Sequence, residues 1–259
     1  MAAASLQLDT RSYRRDAYQG PHQDGGLQIS LVMRGALAET VGRATKHGAV
    51  LSVVVKDPGV VHADLFGPEG ADILRLSTRH SLGDLIDDPA RATPWTWVHD
   101  PRIAAPFLRL ARRLAGVSCT VAGDDPEVTD LLAMLTARPA RPTSPPEWLV
   151  RTMDAMREEW HPSLTVADVA RRAGVHPVYL ARCVRRWYDV GLGEELRHIR
   201  LTAAAGALAA GRETVSRVAH RNGFADEPHF CREFSRSTGM TPGRFRRLLG
   251  TLEFRSTRV

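Results

Sequence analysis

Short aliphatic runs separated by turn-forming residues fill the first half of the chain. The runs, rich in valine, isoleucine and leucine, span residues 27–33, 49–55, 60–66 and 73–77. Glycine and proline lie between them, as in Asp57-Pro58-Gly59. Several short strands with frequent turns are typical of a small β-barrel or sandwich, so residues 13–99 are predicted to form one. Residues 102–116 and 126–137 then change to helical spacing.

The second half has the pattern of helices throughout. Apolar residues recur there at the 3.6-residue period of an amphipathic helix. This period predicts seven helices, at residues 146–159, 165–173, 177–187, 194–209, 214–222, 228–237 and 242–249. Four prolines precede them within residues 138–146. Because proline favours an extended backbone, this segment is predicted to be a semi-rigid linker between two domains.

The charge balance changes at the same place. The 259-residue chain has a formal charge of +6. Residues 1–145 contain 16 basic and 16 acidic residues, whereas residues 146–259 contain 19 arginines, no lysine and 13 acidic residues. The whole excess therefore lies in the helical half. A basic domain beside a neutral one favours a polyanionic partner, most often nucleic acid.

Several other classes of protein are disfavoured by the sequence. No run approaches the ~20 apolar residues that a membrane span needs, and residues 1–16 do not have the pattern of a secretory signal. Three scattered cysteines suit a reducing compartment better than a disulfide framework. The sequence has no nucleophile elbow and no phosphate loop. We therefore expect a cytoplasmic protein that does not bind membranes, is not an enzyme and has no catalytic residues.

A short motif occurs twice in the helical half. Val-Ala-Arg-Arg-Ala-Gly-Val at residues 169–175 returns as Val-Ala-His-Arg-Asn-Gly-Phe at residues 218–224, 49 positions later. In each copy a small alanine allows two helices to cross closely, and a glycine four residues later permits a turn with positive φ. An arginine-bearing amphipathic helix follows each copy. Two copies in register predict two helix-turn-helix units, a motif that places its second helix in the DNA major groove.

The outward faces of these second helices supply the candidate DNA contacts. Leu180 and Val184 in the first helix, and Phe230 and Phe234 in the second, are predicted to be buried, so other positions face outward. The predicted DNA-binding residues are Val178, Ala181, Arg182, Arg185, Arg186, Glu227, His229, Cys231, Arg232 and Arg236. A guanidinium can donate two parallel hydrogen bonds to guanine. Arg182 and Arg232 are therefore the best candidates for base contact.

Residues 147–248 resemble the DNA-binding domain of the AraC/XylS family of bacterial transcription regulators. The second unit carries most of this resemblance, through Val218-Ala219-x3-Gly223-Phe224-x5-Phe230-x3-Phe234 and Gly239-Met-Thr-Pro242-x2-Phe245-Arg246. The resemblance implies a rigid connecting helix at residues 194–209 and two recognition helices that enter adjacent major grooves of double-stranded DNA. It also implies a small-molecule effector, and RNA polymerase as a partner if the protein is an activator.

The first unit departs from the pattern of the family. Asp189 stands where the family usually has a glycine after the first recognition helix, and Gly191-Leu192 replaces Ser-Pro. Ala181 stands where a longer polar base reader is common. The first unit is therefore expected to keep the fold but to hold the DNA backbone more than the bases.

Residues 15–80 resemble, less specifically, the cupin-like sensor domain that precedes such DNA-binding domains. Gly35, Gly48-x9-Pro58-Gly59-x2-His62 and His22-Gln-Asp24 carry this resemblance. It implies a barrel that binds a small organic effector, with His22, Asp24 and His62 as candidate ligand-binding residues and no metal or cofactor. Two imidazoles and a carboxylate are also the ligands of a facial iron site. A metal-dependent cupin enzyme tethered to a DNA-binding module is therefore the alternative.

The helical segment 102–137 has two interpretations. Ile103, Phe107, Leu110 and Leu114 form one apolar face, and related regulators place dimer contacts in this region. The face either joins two protomers into a homodimer or packs against the protein's own barrel. The sequence leaves both open.

Together these patterns predict an α+β protein with two domains. Residues 1–137 form a cupin-like small β-barrel or sandwich with trailing helices, residues 138–146 a proline-rich linker, and residues 147–250 an all-α domain of two helix-turn-helix units joined by a linker helix. The predicted function is sequence-specific DNA binding in transcription regulation, controlled by an effector or partner at the first domain. A DNA-binding protein without sequence preference is a third hypothesis.

Overall fold

The computed structural model describes residues 4–114, 116–137 and 145–257, which contain eight strands and nine α-helices. The strands are β1 (Ser5–Tyr13), β2 (Tyr18–Gln23), β3 (Leu27–Val41), β4 (Ala44–Ala49), β5 (Val53–Lys56), β6 (Val61–Thr78), β7 (Trp95–Val98) and β8 (Ser118–Ala122). The helices are α1 (Ala104–Ala111), α2 (Pro126–Thr136), α3 (Glu147–Glu158), α4 (Val166–Arg172), α5 (Pro177–Tyr188), α6 (Leu192–Ala210), α7 (Val215–Arg221), α8 (Glu227–Thr238) and α9 (Pro242–Thr251). The predicted α+β class, with β-structure first and a helical second half, is confirmed.

The two long strands β3 and β6 form the middle of a single antiparallel sheet. They pair from Leu27 opposite Thr78 to Thr40 opposite Ala63, with register shifts near Gly35. Shorter strands extend the sheet in the order β7-β5-β3-β6-β1-β8, while β2 pairs with β6 and β4 with β3. Irregular register bends a strand and increases its twist. The two ends of β3 and β6 therefore belong to differently oriented parts of one curved sheet.

The observed strands differ from the predicted runs in length. Residues 60–66 and 73–77, predicted as two strands, lie within the single 18-residue strand β6. The predicted run 49–55 is divided, because residues 50–52 turn between β4 and β5. β1 lies almost entirely before the predicted β-region, and β8 lies after it.

The sheet has one face that is almost wholly aliphatic. Side chains alternate between the faces of a strand, and alternate residues in the first part of β3 and in the neighbouring parts of β1, β5 and β6 are apolar side chains buried in one core. These residues are Leu8, Leu27, Ile29, Leu31, Met33, Val53, Val55, Leu74 and Leu76. Helices α1 and α2, part of α6 and the helices α7 to α9 contribute to the same core.

The apolar face of segment 102–137 packs within the protein. Ile103, Phe107 and Leu110 are at most 1% exposed and belong to the core beneath the sheet, and Leu114 packs against it. Of the two interpretations of this face, the structure shows packing against the protein's own β-domain. These side chains are therefore not available for a dimer seam. The predicted helix 102–116 is shorter than expected, since α1 ends at Ala111 after a 3-10 turn at Pro101–Ile103.

The seven helices predicted in the second half are all present, each within two residues of its predicted ends. Local caps explain several of these ends. Thr165 and Asp168 form a capping box at the start of α4, which satisfies two otherwise unpaired backbone N–H groups. The Asp226 carboxylate accepts from the His229 N–H at the start of α8.

The turns of the two units have the predicted backbone geometry. Gly174 has φ of +67° and Gly223 has φ of +76°, the left-handed region in which glycine has no steric penalty. At the end of α5, Asp189 takes the left-handed cap position with φ of +56°. Aspartate tolerates this conformation better than most residues, so the departure at Asp189 leaves the fold intact.

The two units differ in what they pack against. Helices α3, α4, α5 and the first part of α6 enclose a separate core that includes Leu180 and Val184. The second unit, by contrast, shares the core of the β-sheet. The predicted linker falls mainly on residues 138–144, which lie outside the described residues, so the division into domains at that point stays a prediction.

The segment after α9 returns to the sheet. The Ser12 N–H donates to the Arg255 carbonyl at 2.8 Å, and the Thr257 N–H donates to the Ser12 carbonyl at 2.8 Å. The Arg34 guanidinium, paired with Asp72, also donates to the Leu249 carbonyl at the end of α9. These bonds tie the second unit to β1 and β3. No helix in the described part of the chain is long and apolar enough to span a membrane.

The two turn glycines are expected to tolerate alanine to different extents. A Cβ at Gly223 would lie 2.7 Å from the Pro162 carbonyl oxygen, whereas a Cβ at Gly174 would meet no atom within 4 Å. Gly174→Ala should lower the free energy of unfolding by the backbone strain alone, about 1–2 kcal/mol. Gly223→Ala should lower it by about 1–3 kcal/mol more, as overpacking does. Denaturant titration of both variants tests this, and equal losses would contradict the assigned contact.

Candidate nucleic-acid interface and buried charge cluster

Helix α5 presents the predicted face of the first unit to solvent. Val178 is 53% exposed, and Arg182, Arg185 and Arg186 are exposed, while Ala181 is half-buried beside them. Leu180 and Val184 lie on the opposite face with no exposed surface. The helical period predicted this division correctly.

Helix α8 has the same division in the second unit. Glu227, Arg232 and Arg236 are exposed, and Phe230 and Phe234 are completely buried. His229 and Cys231 are half-buried rather than open, since the His229 ring meets the edge of Phe224 with their centroids 5.8 Å apart.

The exposed arginines are not equally available. In the described part of the chain, Arg182, Arg185 and Arg232 form no ion pair with a carboxylate. Arg236 is paired with Glu233 at 2.6 Å, and the Arg186 guanidinium lies 5.7 Å from the centroid of the Trp187 ring. An arginine that is not engaged within the protein can donate its full set of N–H groups to DNA. The geometry therefore favours Arg182 and Arg232 over Arg186 and Arg236 as base-contacting candidates.

Tyr179 is an exposed residue of α5 that was not predicted as a contact. It is 53% exposed and stacks on Trp148 of α3 with 6.0 Å between ring centroids. The signal in the sequence was its position next to Val178 in the first turn of the helix, where residues commonly reach base edges.

The three candidate ligand-binding residues of the β-domain do come together. The rings of His22 and His62 lie 4.2 Å apart, and Asp24 Oδ2 is 3.5 Å from His62 Nε2. His22 lies opposite His62 in the pairing of β2 with β6. These three residues also lie close enough to share a metal ion, as do Glu39, His62 and Asp64.

Three further charged residues complete what we call the buried charge cluster: His22, Asp24, Glu39, Lys56, His62 and Asp64. Glu39 is fully buried and Lys56 and Asp64 are each 5% exposed. The Lys56 ammonium lies 2.9 Å from Glu39 Oε1 and 3.6 Å from Asp24 Oδ2. Glu39 also accepts a hydrogen bond from the Trp95 indole N–H. Sequence reasoning missed these residues because their proximity depends on strand register.

The position of Lys56 argues against a metal in this cluster. Lysine has only donors, so at the 2.9 Å separation of Lys56 Nζ and His62 Nε2 it is the imidazole that accepts. The other ring nitrogen of His62 then donates to the Val60 carbonyl at 3.0 Å. A metal would need the Nε2 lone pair that Lys56 already uses. The residues present therefore do not fit a metal ion, and the metal-dependent enzyme is not supported.

The electrostatics of the cluster favour a charged Lys56 and a neutral His62. Burial alone would lower the pKa of Lys56, but the carboxylates of Glu39, Asp64 and Asp24 raise it above its ordinary value. Burial and the neighbouring Lys56 lower the pKa of His62. Burial raises the pKa of Asp64 to about 6. Lys56 thus supplies the positive charge that the acidic residues require.

Two helix-turn-helix units built on one connecting helix, beside an antiparallel β-domain, define a DNA-binding class of fold. Residues 169–248 match the helix-turn-helix domain family. The regulator YijO of Escherichia coli, described as an HTH-type transcriptional regulator, is 34% identical over 94 residues, which are 36% of this chain and 33% of that protein. Residues 169–248 thus form a helix-turn-helix domain.

Other similar proteins include a bifunctional one. The transcriptional activator and DNA repair enzyme AdaA of Bacillus subtilis is 26% identical over 102 residues, 39% of this chain and 48% of that protein. The chain thus spans between a third and a half of the length of these two curated relatives. Among solved structures, ToxT of Vibrio cholerae is 11% identical with a TM-score of 0.40, covering 95% of this chain and 98% of that one. An AraC-type regulator of Chromobacterium violaceum is 20% identical with a TM-score of 0.38, covering 40% and 93%.

The raised pKa of Asp64 predicts how its contribution to stability depends on pH. The folded protein holds this proton more tightly than an unfolded chain, whose aspartates titrate near 3.8. The stabilisation is therefore complete below about pH 4 and is lost as the pH rises through about 6. The Asp64→Asn variant has no carboxyl group to ionise at this position and does not lose this stabilisation. The melting temperature of the variant should therefore increase relative to that of the unmodified protein as the pH rises from 4 to 7.

Asp84 gives a control of opposite sign for this measurement. Hydrogen bonds from Ser81 lower the pKa of Asp84, so its contribution is present above pH 4 and is lost as the pH falls. Asp84→Asn should therefore lose stability relative to the unmodified protein as the pH rises through 4. Parallel curves for Asp64→Asn and the unmodified protein would contradict the prediction for Asp64.

Proposed function

We propose that this protein is a sequence-specific DNA-binding transcription regulator, controlled by an effector or partner at its β-domain. The observation that carries the proposal is the pair of exposed recognition helices, α5 and α8, each with an outward arginine that pairs with no carboxylate of the residues the structure describes. Net positive charge in residues 146–259 supports the same conclusion, because phosphate contacts dominate the affinity for DNA.

The connecting helix suits a protein that contacts two adjacent major grooves. Helix α6 has 19 residues, which correspond to about 28 Å at 1.5 Å per residue. Successive major grooves on one face of DNA are about 34 Å apart. A rigid spacer of this length, with a helix-turn-helix unit at each end, is compatible with two half-sites on one face of the duplex.

The packing suggests how a signal from the β-domain reaches the DNA. The second unit shares the core of the sheet and is tied to it by the segment after α9, so its position follows that of the β-domain. The first unit has its own core. An effector that favours one arrangement of the sheet would therefore change how the first unit is presented relative to the second, by a population shift.

A polar network at the start of α6 joins the two halves of this arrangement. Arg102, next to α1, pairs with Asp100 at 2.6 Å and with Glu194 at 3.4 Å. Glu195, one residue further along α6, pairs with Arg157 of α3 at 2.6 Å. The network therefore connects the β-domain, the connecting helix and the first unit, which is where we place the hinge.

The proposal also covers the domain bounds, the compartment and the partners. The regulatory domain comprises residues 1–137 and the DNA-binding domain residues 147–250, joined by the linker at 138–146. The protein acts in the cytoplasm, with RNA polymerase as a partner if it activates transcription. A homodimer would use a surface other than the buried face of α1.

Selection of bound fragments from a random DNA pool tests the proposal. The full chain should enrich two half-sites about 10 base pairs apart, because the two units would occupy successive turns of the duplex. A single enriched half-site would show that the first unit holds backbone only. Equal retention of all fragments at matched salt would instead support a DNA-binding protein without sequence preference and would contradict the proposal.

Arg232→Ala should weaken binding to the selected site by about 1–3 kcal/mol and relax the preference at one base pair, since a bidentate base contact is lost. Arg151→Ala is the matched control, because it removes the same charge from α3, where Arg151 is exposed and paired with Glu147. Competition binding with each single-base variant of the site measures both effects. Uniform weakening on every sequence would make Arg232 a phosphate contact.

A further inference from the structure

The face of the sheet opposite the aliphatic core carries rows of polar residues beside a smaller apolar cluster that includes Val32, Val54 and Ile73. Gln7 lies opposite Ser77, Ser77 opposite Gln28, and Gln28 opposite Lys56, so these four residues form one row across four strands. Residues directly opposite each other on neighbouring strands have side chains on the same face. This polar row therefore lies on the side away from the helices.

A second row runs parallel to the first and contains a partly buried arginine, Arg75. Asp9 lies opposite Arg75, and Arg75 lies opposite Ser30. Asp9 and Ser30 are buried, and the side chain of Arg75 is 16% exposed. An unpaired polar group in such a position costs free energy. The polar groups on this face of the sheet therefore need hydrogen-bond partners.

Arg75 has donors that the described residues leave unused. Its terminal nitrogen donates to Asp9 Oδ2 at 2.8 Å, but its Nε is buried without a hydrogen-bond partner. Asp9 is shared, because Arg11 also pairs with it at 3.2 Å. One carboxylate thus faces two guanidinium groups, which leaves an excess positive charge at this position.

A cavity of about 810 Å³ opens onto this face. Gln7, Gln28, Arg75 and Ser77 line it, and Arg79 and His80 stand at its edge where β6 ends. Small-molecule sites typically have volumes of about 300–1,000 Å³ and a few convergent polar groups. The cavity therefore has the size, the hydrogen-bonding groups and the charge of a ligand site.

We propose that this cavity binds a small organic anion, whose carboxylate or phosphate oxygens accept hydrogen bonds from Arg75 while Gln7, Gln28 and Ser77 hold the rest of the molecule. The site is distinct from the buried charge cluster, where the charge of Lys56 is already balanced by Glu39. The proposed ligand site rests on the proposed function, because the anion would be the effector. It adds the chemical class of that effector.

The guanidinium of Arg75 selects an oxyanion for a geometric reason. Its planar fork matches the spacing of carboxylate and phosphate oxygens, and such charge-assisted bonds are shorter and stronger than neutral ones. A neutral amide of the same shape would satisfy fewer donors and leave the excess charge in place. Charge rather than shape should therefore decide which probe molecules bind.

The test uses matched pairs of probes with the full chain and no DNA. Benzoate is compared with benzamide, hexanoate with hexanamide, and glycerol 3-phosphate with glycerol, by calorimetry and by the nuclear magnetic resonance signals of arginine Nε–H groups. The anion of at least one pair should bind at least about tenfold more tightly than its neutral counterpart, as loss of a charge-assisted bond predicts. The Arg75 Nε–H signal should shift with it, and the pair that responds tells a carboxylate from a phosphate ligand.

Three variants make the result specific to Arg75. Arg75→Gln should abolish the preference for the anion, and Arg75→Lys, which keeps a positive charge beside Asp9, should weaken anion binding at least about tenfold because the fork is lost. Arg11→Gln removes the other guanidinium on Asp9 without altering the cavity lining, so it should weaken anion binding by less than Arg75→Gln does and leave the shift of the Arg75 Nε–H signal in place. If no anion shifts the Arg75 signal, or if Arg75→Lys binds normally, the inference is wrong.

The outcome is separable from the proposed function. DNA selection without any probe molecule tests sequence-specific binding alone, whereas the probe experiment contains no DNA. Anion binding without an enriched DNA site would overturn the regulator and leave the ligand site standing. An enriched DNA site with no anion binding would overturn this inference only.

Discussion

The arrangement of the protein depends on one constraint: the aliphatic face of the β-sheet has to be covered. Residues such as Ile29, Leu31 and Leu76 are fully buried in that face, and each contributes about 1.5–3 kcal/mol when removed from water. Helices α1 and α2 cover part of it, and α6 together with the second helix-turn-helix unit completes the core. The second helix-turn-helix unit is thus part of the same hydrophobic core as the β-domain.

That constraint makes the two helix-turn-helix units unequal. The second unit is fixed by shared apolar packing and by backbone hydrogen bonds between the segment after α9 and β1. The first unit is connected to the β-domain through α6 and through ion pairs such as Arg102 with Glu194, and ion pairs are weaker and more dependent on solvent than apolar packing. Movement between the units should therefore occur at the first unit, which is also the one whose sequence departs from the family pattern at Ala181 and Asp189.

The sequence predicted the helical half far better than the β-half, for a physical reason. A helix is set by contacts within about four residues, so apolar spacing and caps such as Thr165 and Asp226 locate its ends. Strand pairing joins residues far apart in the chain, and nothing local shows that Asp9 lies opposite Arg75. The exposed arginines of α5 and α8 were therefore predictable, and so was the meeting of His22 with His62 by resemblance. Lys56, Glu39 and Arg75 were not, because their roles come from register.

The charged residues on the face of the sheet opposite the aliphatic core are informative because stability alone does not require them. Buried ion pairs can often be replaced by apolar residues of similar volume with no loss of stability, and the opposite face of the same strands shows that aliphatic residues fit this sheet well. The chain nevertheless places Lys56, Glu39, Asp64, Arg75 and Asp9 within it, each largely shielded from solvent. Lys56 pairs with Glu39 and occupies the Nε2 lone pair of His62, so that cluster does not fit a metal ion. Arg75 has an unpaired Nε, shares its carboxylate with Arg11 and lines the cavity, so it keeps a donor that a bound anion can use.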